Sequence, residues 1–268
     1  MNLIQAITLG IVEGVTEFLP VSSTGHLLIA EHLLGIPEGD SAHGFAIAIQ
    51  AGAILAVLWL YRQRVSLLVD GVIRKNPQGL RLLRSLLIAF FPGAFFGFLF
   101  DDLIEAHLFG PWPIAIGWVM GAVVIFLFFH SPRHGGKGVW EIGDREAWVI
   151  GLAQCASLWP GTSRSLACLV GALLAGISME SAVEFTFLLG LITLGAATGY
   201  AFLKHGESMV ESYGITNIVI GFVVAFFSAW ISARWMIGWL KHRSLLIFAL
   251  WRIGAAGCVA LLRAFGKL

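Results

Sequence analysis

The chain has 268 residues, of which 58% are hydrophobic and 12% charged, with a net charge of +1 and a mean hydropathy of +0.86. A soluble domain carries about 25% charged residues, so the composition argues against a soluble enzyme, a disordered chain and a nucleic-acid binder. The apolar runs are continuous rather than alternating, which points to an all-α integral membrane protein and one bundle over 1–268.

In chain order, the first element is an apolar segment near 3–35, broken by Phe18-Leu19-Pro20-Val21-Ser22-Ser23-Thr24-Gly25-His26. No cleaved signal peptide is expected, because the first Lys or Arg is Arg62. Runs near 45–61, 85–100 and 112–130 follow, each long enough or nearly so to cross a bilayer about 30 Å thick. A second broken segment, near 147–177, is interrupted by Leu158-Trp159-Pro160-Gly161-Thr162-Ser163-Arg164-Ser165. Three more spans are predicted near 182–203, 216–237 and 246–265. Trp59, Trp112 and Trp239 fall near span ends, where an indole suits the interface. Cys155, Cys168 and Cys258 have no motif spacing and are read as packing residues.

Charge sets the expected sidedness. Loops 62–84, 131–147 and 234–244 hold twelve of the 17 basic residues, among them Arg133 and Lys241, and are assigned to the cytoplasm. Loops 36–44, 101–111 and 204–215 hold one, Lys204, beside Glu38, Asp40, Asp101, Asp102, Glu105, Glu207 and Glu211, and are assigned outside. Each broken segment must then begin and end on one side, as a re-entrant helix–loop–helix hairpin. Broken backbone at membrane depth survives only when buried in protein or lining a wet cavity. The hairpins resemble each other at offsets near 141: Gly10-Ile-Val-Glu13 with Gly151-Leu-Ala-Gln154, and Leu34-Gly35-Ile36 with Ala175-Gly176-Ile177. Each half is one hairpin plus three transmembrane helices, an odd number, so an inverted repeat is predicted. Repeat 1 covers about 1–130 and repeat 2 about 147–268, with a cytoplasmic linker over 131–146, and the polar tips should meet near the midplane.

The chemistry-bearing residues cluster at those tips. Glu13 and Glu17 stack at i,i+4 on one helix face, which suits a divalent metal, a general base, or both. Ser22, Ser23, Thr24 and His26 form a hydroxyl-rich tip with one imidazole, able to serve as nucleophile and base, as a phosphate cradle, or as helix caps. Arg164, the one Lys or Arg between Arg145 and Lys204, lies between Ser163 and Ser165. Its fork suits phosphate oxygens, or an ion pair with Glu13 or Glu17. Gln50 and Glu184 are candidates to pair or to line the cavity, while His32, His43, His107 and His205 are assigned to loops or interfaces. Phe90-Phe91 and Phe95-Phe96 are read as lipid-facing or packing. Carboxylates, serines, a histidine and an arginine in a membrane cavity favour phosphate chemistry on an amphiphile.

At these residues the sequence resembles the bacterial undecaprenyl-pyrophosphate phosphatases, the bacitracin-resistance family. Glu13-Gly-Val-Thr-Glu17-Phe-Leu-Pro-Val-Ser-Ser-Thr-Gly-His26 is similar to that family's first motif and Trp159-Pro-Gly-Thr-Ser-Arg-Ser165 to its second. The resemblance implies hydrolysis of a polyprenyl pyrophosphate lipid to the monophosphate carrier for cell-wall recycling. It also implies a site facing the periplasm from the bacterial cytoplasmic membrane, and dependence on Mg2+ or Ca2+ held by Glu13 and Glu17. Glu17, Ser23, His26 and Arg164 would be catalytic, with Ser23 or His26 or water as nucleophile. Glu13, Ser22, Thr24, Gly161, Thr162, Ser163 and Ser165 would bind substrate. The expected partners are this lipid and the membrane, with a homodimer left open. Leu166 and Cys168 stand where the family has Gly and Thr, and Gly190-Leu191-Ile192 lacks its proline. The alternative function is a transporter of the polyprenyl phosphate with the same fold.

Overall fold

The computed structural model describes residues 1–37, 39–129, 135–240, 243–266 and 268, without the side chains of 40, 43, 105, 201 and 204–208. Glu38, Arg133 and Lys241, and the side chains of Asp40, His43, Glu105, Lys204, His205 and Glu207, therefore lie outside the described residues.

Ten α-helices are found among the described residues: α1 Leu3–Thr16, α2 Ser23–Leu33, α3 Asp40–Leu60, α4 Arg62–Arg74, α5 Pro77–Leu108, α6 Pro111–Phe128, α7 Asp144–Gln154, α8 Arg164–Leu174, α9 Met179–Leu240 and α10 Leu246–Ala264. The segments Pro77–Ile104, Pro111–Phe128, Met179–Tyr200, Met209–Leu240 and Leu246–Ala264 are long and apolar enough to cross a membrane. The pair Gly44–Leu60 and Arg62–Arg74, bent by 83°, makes a sixth when the two are counted as one broken span. The chain is a multi-pass α-helical membrane protein. The exposed ladder of Phe91, Phe95 and Phe96 is the kind of surface that lipid covers.

Two predicted features are corrected. The segments 62–84, 101–111 and 204–215 are mostly helix rather than loop: α4 and the start of α5, the end of α5, and the middle of α9. Charged residues end an apolar run, but Arg, Lys and Glu are good helix formers and let the helix continue. Cys258 is exposed rather than packed inside.

α9 turns at Gly214, whose φ of 71° and ψ of 145° are non-helical. Both arms pack on α3. Gln50 accepts from Thr198 Oγ1 at 3.3 Å on one arm. On the other, a Cβ at Gly52 would stand 2.3 Å from the Phe222 carbonyl. Glycine here permits a close backbone approach that no side chain allows.

The two broken segments fold as helical hairpins with matched local structure. Gln5 Oε1 accepts from Asn2 N–H at 2.7 Å at the start of α1, and Gln5 Nε2 donates to Leu34 O at 3.0 Å, tying the ends of α1–α2. Glu146 accepts from Gly143 N–H at 3.0 Å at the start of α7, and Lys137 exchanges backbone hydrogen bonds with Gly176 and Ser178 beyond α8. The tip residues Ser22 (φ 71°, ψ 102°) and Ser163 (φ 77°, ψ 115°) share a left-handed conformation rare outside glycine. The first hairpin lies on the second arm of α9, with Gly10 against Gly221 and Gly14 against Ala225. The second lies on α5, with Gly151 against Ala89.

Arg252, from α10, holds the tips together. It is 0% exposed. Its guanidinium donates to Pro20 O at 2.8 Å, Gly161 O at 2.7 Å and Thr162 O at 3.0 Å in the tips, and to Gly117 O at 3.0 Å and Trp118 O at 3.1 Å in α6. A Cβ at Gly121 would stand 1.8 Å from Arg252 Nη2, so α6 needs glycine there. Arg252→Met strands these carbonyls, and the melting midpoint in detergent is expected to fall by the equivalent of at least about 3 kcal/mol. Arg252→Lys, with three donors and no planar fork, should fall between. A Met variant melting with the wild type would show that Arg252 is not the clamp.

Candidate active site

The first tip follows from its sequence. α1 closes with Glu17 as its C-cap. Pro20 lacks an N–H and drives Leu19 out of the helical region, so α1 cannot continue. The chain turns through Ser22 and restarts as α2 at Ser23. The second tip does the same through Pro160 and Gly161, and α8 starts at Arg164 with Ser163 as N-cap. Gly161 (φ 91°) lies against α6, where a Cβ would be 2.4 Å from Ile114 O.

The tips touch. Ser165 Oγ donates to Leu19 O at 3.2 Å and lies 2.9 Å from Ser163 Oγ. Arg164 Nη2 donates to Glu17 Oε1 at 3.0 Å, across 147 residues of sequence. The other carboxylate oxygen, Glu17 Oε2, accepts from Ser23 Oγ. Guanidinium, carboxylate and hydroxyl thus form one line. Arg164 Nη1 donates to Thr186 O at 3.3 Å, while Arg164 Nε is buried with no hydrogen-bond partner. The guanidinium lies on Gly190, where a Cβ would stand 2.6 Å from Nη1. One turn back from Glu17, Glu13 is 0% exposed and neither carboxylate oxygen has a hydrogen-bond partner.

A cavity of about 550 Å³ opens from this line. Glu17, Ser22, Ser23, Thr24, Gly161, Ser163 and Arg164 form its polar end, and Phe90, Ala94, Gly97, Phe98 and Leu194 its apolar length. A second cavity of about 550 Å³ shares Ser23, Thr24 and Gln50 and reaches Glu13. Thr162 and Ser165 do not line the first cavity; Thr162 serves through its carbonyl on Arg252 and Ser165 through its contact with Leu19.

The structure does not bring His26 to Ser23. Its Nδ1 donates to Ser22 O at 2.7 Å, which fixes the tautomer, and its Nε2 accepts from Trp251 Nε1 at 2.9 Å. The ring sits between Trp118 and Trp251, with centroids at 4.9 and 6.1 Å. Glu184 pairs with Arg64 at 2.5 Å, away from this cavity. Cys168 is buried and its thiol donates to Gln154 Oε1 at 3.4 Å, while Gln154 itself lines the cavity. Leu166 is buried in the core. Sequence reading missed Arg252, whose signal was an arginine inside the apolar run 246–265: ionisable groups there are rarely idle.

The chain is similar to known proteins along nearly its whole length. The chain is 41% identical over 260 residues to the undecaprenyl-diphosphatase of Sorangium cellulosum, covering 95% of this chain and 84% of that one. It is 43% identical over 270 residues to undecaprenyl-diphosphatase 2 of Rhodospirillum rubrum, covering 99% and 96%. An undecaprenyl-diphosphatase of Acinetobacter baumannii is 38% identical over 264 residues, covering 98% and 96%. A sequence model of the family described as bacitracin resistance protein BacA matches residues 6–258, so the hairpin pair joined by Arg164 and Glu17 stands in a chain that belongs to the BacA family.

Proposed function

We propose that this chain is an undecaprenyl-diphosphatase, hydrolysing undecaprenyl diphosphate to undecaprenyl phosphate and inorganic phosphate and so returning the carrier lipid to cell-wall synthesis. The observation that carries the reading is the line Arg164–Glu17–Ser23, assembled from two hairpins at the polar end of an otherwise apolar cavity. Such a cavity takes a phosphate headgroup at one end and prenyl units along the other.

The proposed topology is an inverted repeat, 1–130 and 147–268 with the linker 131–146, each half contributing a re-entrant hairpin and three spans. The matched tip conformations of Ser22 and Ser163 support it, as does each hairpin's packing on a helix of the other half. The basic bias of 62–84, 131–147 and 234–244 supports a cytoplasmic position for those segments in the bacterial inner membrane. The cavity, which reaches Asp101, then faces the periplasm.

In the mechanism we infer, the terminal phosphate sits against the N-termini of α2 and α8, whose dipoles and free N–H groups favour an anion. Arg164 binds it with the Nε donor that is unspent in the resting protein. Ser23 Oγ attacks the terminal phosphorus and its proton passes to Glu17 Oε2. The bond to the bridging oxygen breaks, and undecaprenyl phosphate leaves with the proton that Glu17 releases. Water then attacks the phosphoserine phosphorus and gives a proton to Glu17; the bond from phosphorus to Ser23 Oγ breaks, inorganic phosphate leaves, and Glu17 returns that proton to Ser23 Oγ. His26 acts by position: its Nδ1–H on Ser22 O holds the left-handed turn that presents Ser23.

No group of three or more His, Cys, Asp or Glu suited to a metal occurs among the described residues. The donor set still fits a divalent cation. Mg2+ is commonly held by one or two carboxylates together with substrate phosphates, and Glu13 offers two buried, unpartnered oxygens beside Glu17. A bound cation would neutralise charge on the phosphoryl oxygens.

Arg164→Ala is expected to abolish phosphate release from a C55 diphosphate in detergent, and Arg164→Lys to lower kcat/KM by about 10²–10³-fold. Full activity in the alanine variant would refute the assignment. Gly97→Phe, which fills the apolar length, should depress turnover of the C55 lipid more than that of a C15 diphosphate. Equal losses would place the tail elsewhere.

A further inference from the structure

We propose that the C-terminal end of α9 forms a binding site for the headgroup of an anionic phospholipid, separate from the diphosphate site. Trp230, Arg234, Trp235, Gly238, Trp239 and Arg243 surround one open concavity of about 790 Å³. The arginines are held on indoles: the Arg234 guanidinium carbon lies 5.7 Å from the Trp230 ring centroid, and that of Arg243 lies 5.9 Å from Trp239. Trp239 is fixed in turn, donating Nε1–H to Ser244 O at 3.1 Å and lying 5.0 Å from Trp235, centroid to centroid. A Cβ at Gly238 would have no atom within 4 Å, so the middle of the concavity is open.

The partner such a site needs is an anion. A guanidinium laid on an aromatic face keeps its edge donors free for a phosphate fork. At one other place the same arrangement is completed by a carboxylate: Arg64 lies 4.7 Å from the Trp140 centroid and is paired to Glu184 at 2.5 Å, whereas Arg62, 5.4 Å from the Trp59 centroid, donates to Trp59 O at 3.1 Å. At Arg234 and Arg243, both exposed, no ion pair is found among the described residues, and no acidic residue lines the concavity. The place is the end of a membrane-crossing segment, Met209–Leu240, where headgroup phosphates lie and where indoles settle between apolar and wet surroundings. Exposed Ile231 and Trp235 give the acyl chains an apolar wall. Two positive charges with no acid select an anionic lipid over a zwitterionic one.

The test uses the full chain in phosphatidylcholine bilayers that carry a small, equal fraction of either brominated phosphatidylglycerol or brominated phosphatidylcholine, read by tryptophan quenching. Phosphatidylglycerol is expected to quench in excess, with an association about 30-fold stronger, about fivefold for each guanidinium. The excess should vanish in Arg234→Gln/Arg243→Gln, while quenching by brominated phosphatidylcholine and phosphate release from the C55 diphosphate stay as in the wild type. It should also shrink in Trp235→Phe/Trp239→Phe, which removes two of the three indoles that line the concavity and leaves Trp230. Equal quenching by the two lipids in the wild type would overturn the proposal, as would an excess that persists without the two arginines. Protection of these indoles through self-association, with no lipid preference, would assign the surface to a second copy and overturn it equally.

Discussion

Unwound backbone inside an apolar bundle leaves carbonyls that water cannot reach, and the structure depends on how Arg252 answers them. Three tip carbonyls, two from the second hairpin and one from the first, converge on one guanidinium with two more from α6. A lysine could not span them, and a carboxylate-paired arginine would have spent its donors. That clamp adds to the two direct bonds between the tips, Ser165 to Leu19 and Arg164 to Glu17, the second of which closes a 147-residue separation. The glycines follow from the same demand. Gly117, Gly121 and Gly161 clear the space through which α6, α10 and the second tip approach.

Charge is deliberately unequal at the centre. One guanidinium, Arg164, faces two buried carboxylates, and only Glu17 is paired to it. An uncompensated carboxylate in an apolar interior is costly, so Glu13 is a standing demand for positive charge next to the place where a phosphate would lie. The left-handed backbone of Ser22 is a second local cost, held by the His26 bond to its carbonyl. Strain and unmet polar groups gather at these tips, as they do at functional sites generally.

Much of this was legible in sequence because local chemistry announced it. Proline and small polar residues in the middle of apolar runs forced the breaks at Pro20 and Pro160, and the six spans followed from run length. Arg164 stood out as an isolated cation beside serines. What failed to show depends on partners distant in the chain. The spacing of Ser23 and His26 suggested a nucleophile and its base, but Trp251, 225 residues from His26, takes the imidazole's free nitrogen. Arg252 was read as part of a span because nothing near it in sequence reveals the carbonyls of Pro20, Gly161 and Thr162. Loop limits were misplaced for a different reason, since hydropathy marks where a helix leaves lipid and not where it ends.

The clamp also bears on whether the halves of this bundle could rock to carry a lipid across, as similar repeat architectures do in transporters. Arg252 lies in the second half, so parting the halves would strand the carbonyls of Pro20, Gly117 and Trp118 and split the buried Arg164–Glu17 pair. At about 1–3 kcal/mol for each unsatisfied buried group, these three carbonyls alone oppose that motion by on the order of 3–9 kcal/mol. A minor state reached in ordinary cycling lies only a few kcal/mol above the ground state. The donors that Arg252 would free in a second arrangement need other acceptors to await them, and a Cβ at Gly121 would stand 1.8 Å from its Nη2, so α6 is fitted to the guanidinium where it is. On the proposed reading the centre stays closed around a headgroup while prenyl units lie along the apolar length of the cavity, which is the requirement of hydrolysis in place and the opposite of what carriage demands.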